Sequence, residues 1–293
     1  MVEASAALTA YLESMKFTLL GSGAVRNNPH RAGPSQILEL NPQNDGHGAG
    51  PVWMFDCGRA ACMRLAQQHV AAETVDRLFL THLHFDHVVD VPYFVYVGWN
   101  NSRQSPLRIY GPVGTAHFIE HLIRPPFRDD IASRLGHGKS EFGLDPEVIE
   151  ISQAGHVLSE NGCELSATFT NHGGITTLCY RAEGSGRRVI ISGDGLPLDD
   201  FEDFARDADL MVYECSGTAE FLAQQPWGTW HITPEALGDL ATRCGVRRLM
   251  IKHLVMEDIT GDLTAVHDMG QRIRKRFRGE VTVGTDGITV DLG

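Results

Sequence analysis

The sequence contains no uninterrupted run of about 18 apolar residues, the length that a membrane-spanning helix needs. Its first residues carry Glu3 and Glu13 and no basic cluster before an apolar core, so they do not have the pattern of a secretory signal. We therefore expect no membrane partner and a cytoplasmic location.

Cysteine is scarce, with six thiols in 293 residues and no pair at C-x-x-C spacing. That spacing is typical of zinc ribbons and redox motifs, so neither is expected. In a long chain without a secretory signal, the simplest interpretation is that the thiols are reduced and mostly buried. We assign none of them to a metal: Cys57, Cys62, Cys163, Cys179, Cys215 and Cys244.

Basic residues are too few to balance the acidic ones, since 25 Lys and Arg face 37 Asp and Glu and give a net charge of -12. Nucleic-acid enzymes usually present a basic face that neutralises phosphates. The densest basic run, residues 272–278, would turn Ile273 and Phe277 inward on a helix, and this predicts a solvated charged face. We therefore expect a small-molecule substrate and no nucleic-acid partner.

Apolar runs of strand length alternate with segments of helix length along the chain, which indicates a mixed α/β fold. An apolar fraction of 42% can fill a core, and chains of this length occur as one domain. We predict a single domain over residues 16–293 and an N-terminal extension over residues 1–15. The last two apolar runs, Val281–Val283 and Ile288–Leu292, flank Asp286-Gly287 and predict a hairpin.

Three imidazoles and a carboxylate crowd the segment Thr-His-Leu-His-Phe-Asp-His, namely His82, His84, Asp86 and His87. The apolar run Leu78–Leu80 before them predicts a buried strand, so the cluster begins where a strand ends. Alternate residues of an extended chain point to one side, and His82 and His84 can therefore face one point. Nitrogen and oxygen ligands together suit zinc, with manganese or iron as alternatives.

Three later residues can complete a site for two metal ions: His172, Asp194 and His253. Asp194 follows the apolar run Val189–Ile191, and His253 follows Leu249–Ile251. Side chains at strand ends are held rigidly, as a metal site requires.

With these residues in order, the chain resembles the metallo-β-lactamase superfamily. The resemblance implies a four-layer αββα sandwich and two zinc ions per chain. One ion would be bound by His82, His84 and His172, and the other by Asp86, His87 and His253, with Asp194 between them.

Further segments resemble the ribonuclease Z and arylsulfatase-like branch of that superfamily: Gly21-Ser22-Gly23, Phe55-Asp56-Cys57-Gly58, Ile109-Tyr110-Gly111-Pro112 and Tyr213-Glu214-Cys215. That branch implies a homodimer. In its ribonuclease Z members a long arm between the third-His motif and the bridging Asp grips tRNA. Here only 22 positions separate His172 from Asp194, and we expect no such arm.

The chemistry expected of this arrangement is hydrolysis. A water held between two cations loses a proton near neutral pH, and Asp86 would orient it and act as base. The branch also uses a His with a Glu to protonate the leaving group, a role that falls to His231 and Glu214. The motif reads His-Ile-Thr here and departs from the His-Ser/Thr-Thr of that branch at its second residue.

Aromatic residues near these motifs predict a pocket for a flat aromatic group. Trp99 and Asn100 follow the metal loop, and Trp227 and Trp230 precede His231. The leading hypothesis is a dinuclear zinc hydrolase of a small aromatic sulfate or phosphate diester. The alternatives are a hydrolytic dehalogenase of an electron-poor chloroaromatic, a ribonuclease Z-type RNA 3′-end endonuclease and a non-catalytic metal-binding sensor.

Overall fold

A computed structural model describes residues 14–41, 50–257 and 259–293 of the chain. The predicted extension, residues 1–15, lies outside the described residues except for Ser14 and Met15. Met15 already belongs to the first strand, one residue before the predicted start of the domain.

The first sheet has seven strands: β1 Met15–Gly21, β2 Ser35–Leu40, β3 Val52–Phe55, β4 Arg77–Phe79, β5 Arg108–Pro112, β6 Glu147–Ile151 and β15 Ile288–Asp291. Their order across the sheet is β15-β1-β2-β3-β4-β5-β6. Pairing is antiparallel from β15 to β3 and parallel from β3 to β6.

The second sheet has eight strands: β7 Gly155–Glu160, β8 Cys163–His172, β9 Ile175–Gly184, β10 Arg187–Ile191, β11 Leu196–Pro197, β12 Leu210–Glu214, β13 Arg248–Lys252 and β14 Glu280–Val283. Their order is β11-β8-β9-β10-β12-β13-β14, and β7 also pairs with β8. The run from β10 to β14 is parallel, so the carboxyl ends of β10, β12 and β13 meet at one edge.

Nine α-helices are described: α1 Ala61–Gln67, α2 Phe85–Val88, α3 Val91–Asn100, α4 Thr115–Leu122, α5 Arg128–Gly136, α6 Phe201–Phe204, α7 Ala219–Leu222, α8 Pro234–Cys244 and α9 Thr264–Arg274. Short 3₁₀ turns cover Ala72–Thr74, Pro125–Phe127 and Gly228–Trp230. Helix α8 begins as its sequence indicates, because the Thr233 side chain accepts a hydrogen bond from Ala236 N and Pro234 takes the first helical position.

Three apolar layers show how the elements stack. Phe79 and Met250 belong to the layer between the two sheets. Leu78 packs against helices on the outside of the first sheet, and Ile251 does the same on the second sheet. Neighbouring residues of one strand therefore fill different layers, as the alternation of side chains in a strand requires. The predicted four-layer αββα sandwich is confirmed.

The predicted hairpin at the end of the chain is wrong, because β14 and β15 lie in different sheets. The chain crosses between the sheets at Asp286, whose Oδ1 accepts hydrogen bonds from Ser22 N (2.9 Å) and Ser22 Oγ (2.6 Å). Its Oδ2 accepts from Ala32 N (2.6 Å) and Arg64 Nε (3.0 Å). These four bonds hold the crossing where the sequence pattern indicates a turn.

The basic run at residues 272–278 belongs to the end of α9 and the turn after it, with Ile273 and Phe277 buried as predicted. Arg272 forms ion pairs with Glu220, Glu235 and Asp268. No helix of the described residues is long and apolar enough to span a bilayer.

The buried thiols lead to a prediction about chemical reactivity. All six cysteines are buried and free, and burial raises the pKa of Cys163 to about 12 and that of Cys244 to about 11. Because the thiolate is the reactive form, we expect Ellman's reagent at about pH 8 to modify fewer than about one thiol per native chain within minutes. All six should react after unfolding in guanidinium. Rapid modification of several thiols in the native protein would contradict this burial.

Candidate metal centre and its surroundings

The seven predicted metal ligands meet at one edge of the sandwich. His82 and His84 lie in the loop after β4, and Asp86 and His87 lie in the first turn of α2. The others follow strands of the second sheet: His172 ends β8, Asp194 follows β10 and His253 follows β13. His84 is half-buried and the other six are buried.

Asp194 lies at the middle of this cluster. Its Oδ2 is 3.0 Å from His253 Nε2 and 3.5 Å from His87 Nε2. The same oxygen is 3.8 Å from His172 Nε2 and 4.0 Å from His82 Nε2. One carboxylate oxygen therefore faces imidazoles from both predicted sets.

Each predicted set also forms a tight group of its own. His84 Nδ1 lies 3.0 Å from His82 Nε2 and 3.2 Å from His172 Nε2. In the second set, Asp86 Oδ2 lies 3.4 Å from His253 Nε2 and 3.9 Å from His87 Nε2. Two ligands on one tetrahedral zinc ion lie about 3.3–3.4 Å apart, given Zn–N bonds of about 2.0–2.1 Å. The separations in the two groups, 3.0 and 3.2 Å in the first and 3.4 and 3.9 Å in the second, lie on both sides of this value.

Several buried atoms of the cluster make no hydrogen bond with any described residue, namely His87 Nε2, His253 Nε2 and Asp194 Oδ1. Burying polar atoms without a partner is costly. Burial alone lowers the pKa of His87, but the carboxylates of Asp194, Asp56 and Asp86 raise it to about 10. The carboxylates thus favour positive charge at this point, and the donor set fits divalent metal ions.

Asp56 and Thr81 fix which ring nitrogen two of the ligands present. Asp56 Oδ2 accepts from His87 Nδ1 at 2.8 Å, which leaves His87 Nε2 for a metal ion. Asp56 Oδ1 accepts from Thr81 N (2.8 Å), and the Thr81 hydroxyl lies 3.0 Å from His82 Nδ1. Such partners orient metal ligands and set their tautomers. Asp56 was not among the predicted site residues, although it is a buried carboxylate directly after a strand, as Asp194 is.

The pair Glu214 and His231 lies beside the metal ligands. Glu214 Oε1 is 3.1 Å from His231 Nδ1 and also accepts from Ile232 N at 3.2 Å. Burial lowers the pKa of His231, but the charge and hydrogen bond of Glu214 raise it to about 9. His231 can therefore carry a proton at neutral pH, with Nε2 as the nitrogen left to donate it.

Ser216, which was not among the predicted site residues, links that pair to the cluster. The Ser216 hydroxyl donates to Glu214 Oε2 at 3.1 Å and lies 2.9 Å from His253 Nδ1. Since its one proton goes to Glu214, His253 Nδ1 donates to Ser216 Oγ and presents Nε2 to the cluster. The position of Ser216 two residues after Glu214 is the only sequence signal for this role.

A pocket of about 290 Å³ opens over the cluster. Besides the ligands and His231, its walls include Val25, Phe85, Ser216, Trp227, Trp230 and Val255. The Trp230 ring lies against the backbone of Gly173, where an added Cβ would come within 2.4 Å of ring atom Cδ2. Gly173 has φ 60°, so both its conformation and its contact with the ring require glycine.

Trp99 and Asn100 do not line this pocket, which corrects their predicted role. Trp99 is 1% exposed and its Nε1 donates to Ser140 O at 2.7 Å. Asn100 Oδ1 accepts from Arg134 Nη1 at 2.8 Å. Both residues lie at the end of helix α3, whose ten residues span about 15 Å.

Comparison with known proteins gives a family. The Beta-lactamase superfamily domain matches residues 52–254. A protein named Ribonuclease Z from Mycobacterium bovis is 29% identical over 282 residues, which cover 93% of this chain and 96% of that protein. Another Ribonuclease Z, from Mycolicibacterium gilvum, is 30% identical and the match covers 93% of this chain and 94% of that protein.

Solved structures show the same fold at lower identity. The metallo-beta-lactamase fold protein YhfI from Bacillus subtilis superposes with a TM-score of 0.74 at 20% identity, covering 95% of this chain and 99% of that one. The short form of human tRNase Z gives a TM-score of 0.71 at 21% identity, with the same coverage of 95% and 99%.

The Asp56 contact predicts a loss of metal affinity in the variant Asp56→Asn. An amide can still accept from Thr81 N, but its NH₂ group would donate to His87 Nδ1 and move the imidazole proton to Nε2. We expect zinc affinity to fall about 10–100-fold, as for other partners of metal ligands, in competition with a chelator of known affinity. Asp129→Asn, at a side chain that is 93% exposed, is the matched control. Equal affinity in the two variants would show that Asp56 does not hold the ligand tautomer.

Proposed function

Because the chain belongs to the metallo-β-lactamase superfamily and is a metal-dependent hydrolase, we propose that it cleaves RNA phosphodiester bonds as a ribonuclease Z-type endonuclease. The observation that carries this proposal is the Glu214–His231 pair beside the metal cluster. Relatives that match nearly their whole length are named Ribonuclease Z, and this favours RNA over the sulfate esters of the leading sequence hypothesis. The non-catalytic sensor is set aside.

The two sets of ligands suggest two ions per chain. His82, His84 and His172 would hold one, and Asp86, His87 and His253 the other, with Asp194 between them. Zinc suits this mixture of imidazole and carboxylate best, and manganese or iron are the alternatives. Bound ions of this kind supply an activated water and neutralise charge on the phosphoryl oxygens.

Two side chains would carry out the two proton transfers of the reaction. Asp86 lines the pocket and can accept a proton from the attacking water. His231 can donate its Nε2 proton to the leaving oxygen, since Glu214 and Ser216 hold its Nδ1 side. Glu214 is fully buried and acts through His231 as a positioning residue.

Two sequence arguments against RNA, the missing arm and the net acidity, are weakened by the relatives. The Ribonuclease Z from Mycobacterium bovis is matched over 96% of its length by a 282-residue alignment, so it is about as long as this chain and has no room for a large extra arm. The absence of a long arm between β9 and β10 therefore does not distinguish this chain from that relative. The expectation of no nucleic-acid partner, drawn from net acidity, is doubtful because relatives that match nearly their whole length are named Ribonuclease Z.

A small aryl ester is the second candidate, favoured by the pocket walls. Phe85, Trp227 and Trp230 surround the opening, and no Lys or Arg is among its described lining residues. Aromatic walls can stack a phenyl ring or a nucleobase. An aryl sulfate, a small phosphodiester or a chloroaromatic would use the same walls and the same activated water.

The proposed homodimer and cytoplasmic location remain predictions from the sequence. Size-exclusion chromatography with light scattering would test the first, and a mass of one chain at micromolar concentration would contradict it.

A substrate panel tests the proposed function. We expect the zinc-loaded protein to cut a tRNA transcript with a 3′ extension at one position, with a kcat/KM well above that for bis-p-nitrophenyl phosphate or p-nitrophenyl sulfate, and to lose this activity with a chelator. Faster turnover of the sulfate or of a chlorinated aromatic nitrile, with the RNA left intact, would overturn the proposal in favour of the second candidate.

His231→Ala tests the proton donor. RNA has a poor leaving group, so we expect its kcat/KM to fall about 10²–10⁴-fold, whereas bis-p-nitrophenyl phosphate, with a good leaving group, should lose less than about tenfold. His156→Ala, at an exposed histidine on β7, is the control and should change neither value. Equal losses on both substrates would remove the general-acid role.

A further inference from the structure

Helix α4 carries a second group of metal-ligand residues that shares no member with the centre described above. His117, Glu120 and His121 are exposed on this helix, and their nitrogen and oxygen atoms lie within 4.8 Å of one another. The two imidazole rings are one helical turn apart, with centroids 4.1 Å apart and planes tilted by 42°. Residues four apart lie on one face of a helix, so both rings can reach one ion.

One ring is already held as a metal ligand would be. His121 Nδ1 lies 2.8 Å from the backbone oxygen of His117. A carbonyl oxygen only accepts, so Nδ1 carries the proton and Nε2 keeps its lone pair. Metal-binding histidines usually donate their other ring N–H to a carbonyl or carboxylate in this way.

The residue types and their order also suit a divalent ion. The segment reads His-Phe-Ile-Glu-His. Two His four apart on a helix, with a Glu between them, form a recurrent pattern in which the two His bind zinc and the Glu acts as a base. Ile119 is 5% exposed, whereas His117, Glu120 and His121 are exposed to solvent. Two imidazoles and a carboxylate leave at least one coordination position open to water.

We propose that α4 forms a surface site for a divalent ion of the zinc class, held by His117, Glu120 and His121. This site is separate from the buried centre and does not depend on the proposed RNA cleavage. Because the ligands are exposed and few, its affinity is lower than that of the buried cluster. Ions that prefer imidazole, such as Zn²⁺, Ni²⁺ and Cu²⁺, should bind, whereas Mg²⁺ and Ca²⁺ should not.

Zinc stoichiometry tests the proposal. The full-length protein and the variant His117→Gln/His121→Gln are dialysed against the same free Zn²⁺ and their metal content is measured by mass spectrometry. We expect the variant to hold about one zinc ion fewer per chain. The difference in zinc content between the two proteins reports only the surface ion. It therefore does not depend on the metal content of the buried centre or on the substrate that is cleaved.

A matched control uses another histidine of the same kind. His137 is exposed at the end of α5 and its Nδ1 also bonds to a backbone oxygen four residues earlier, at 2.7 Å from Ser133 O, but Ser133 takes the place of a second His. His137→Gln should keep the full zinc content. Glu120→Gln, which keeps both imidazoles, should bind the ion more weakly than the original chain and more tightly than the double variant.

Two results would overturn the proposal. Equal zinc content in the original chain and the double variant would show that α4 binds no ion. Loss of one ion in His137→Gln as well would show general binding to surface histidines. Far-ultraviolet circular dichroism of the double variant should match the original, because both substituted side chains are exposed.

Discussion

Burial of the Asp194 carboxylate among imidazoles is the constraint on which the rest of the site depends. Its Oδ2 lies within 4.0 Å of nitrogens from four histidines that come from three separate segments of the chain. Such a cluster is costly without a cation, because buried charges and unpaired ring nitrogens lose their hydration. Metal ions relieve that cost, and the same ions provide the hydrolytic chemistry of the family.

The sandwich brings these segments together and holds them rigidly. Parallel strands of the second sheet end at one edge, where Asp194 and His253 follow β10 and β13. The loop after β4 approaches from the other sheet. Two buried oxygen groups then contact the predicted ligands, Asp56 at His87 and Ser216 at His253. Because Ser216 also contacts Glu214, the proposed proton donor His231 and the proposed metal ligand His253 share one hydrogen-bond network.

The ligands could be predicted from the sequence because four of them lie within six positions and two others follow apolar strands. The contacts of Asp56 with His87 and of Ser216 with His253 could not be predicted, because these partners are 31 and 37 positions away. For Asp56 the signal of a carboxylate after a strand was present, but not the residue that it orients. Trp99 was predicted to line the pocket because it is close to the metal motif in sequence. Most of helix α3 lies between the motif and Trp99, and sequence closeness does not take its length into account. The prediction of a terminal hairpin is wrong because Asp286 binds Ser22 and Ala32, more than 250 residues earlier. A local turn pattern cannot show such distant contacts.

The most direct test of the dinuclear site is anomalous diffraction at the zinc edge from crystals of the zinc-loaded protein. Two peaks about 3.5–4 Å apart are expected, one among His82, His84 and His172 and the other among Asp86, His87 and His253, each next to the Asp194 carboxylate. A single peak in the pocket would contradict a two-metal hydrolase, although one ion could still activate a water. No peak at all would require another source for the activated water.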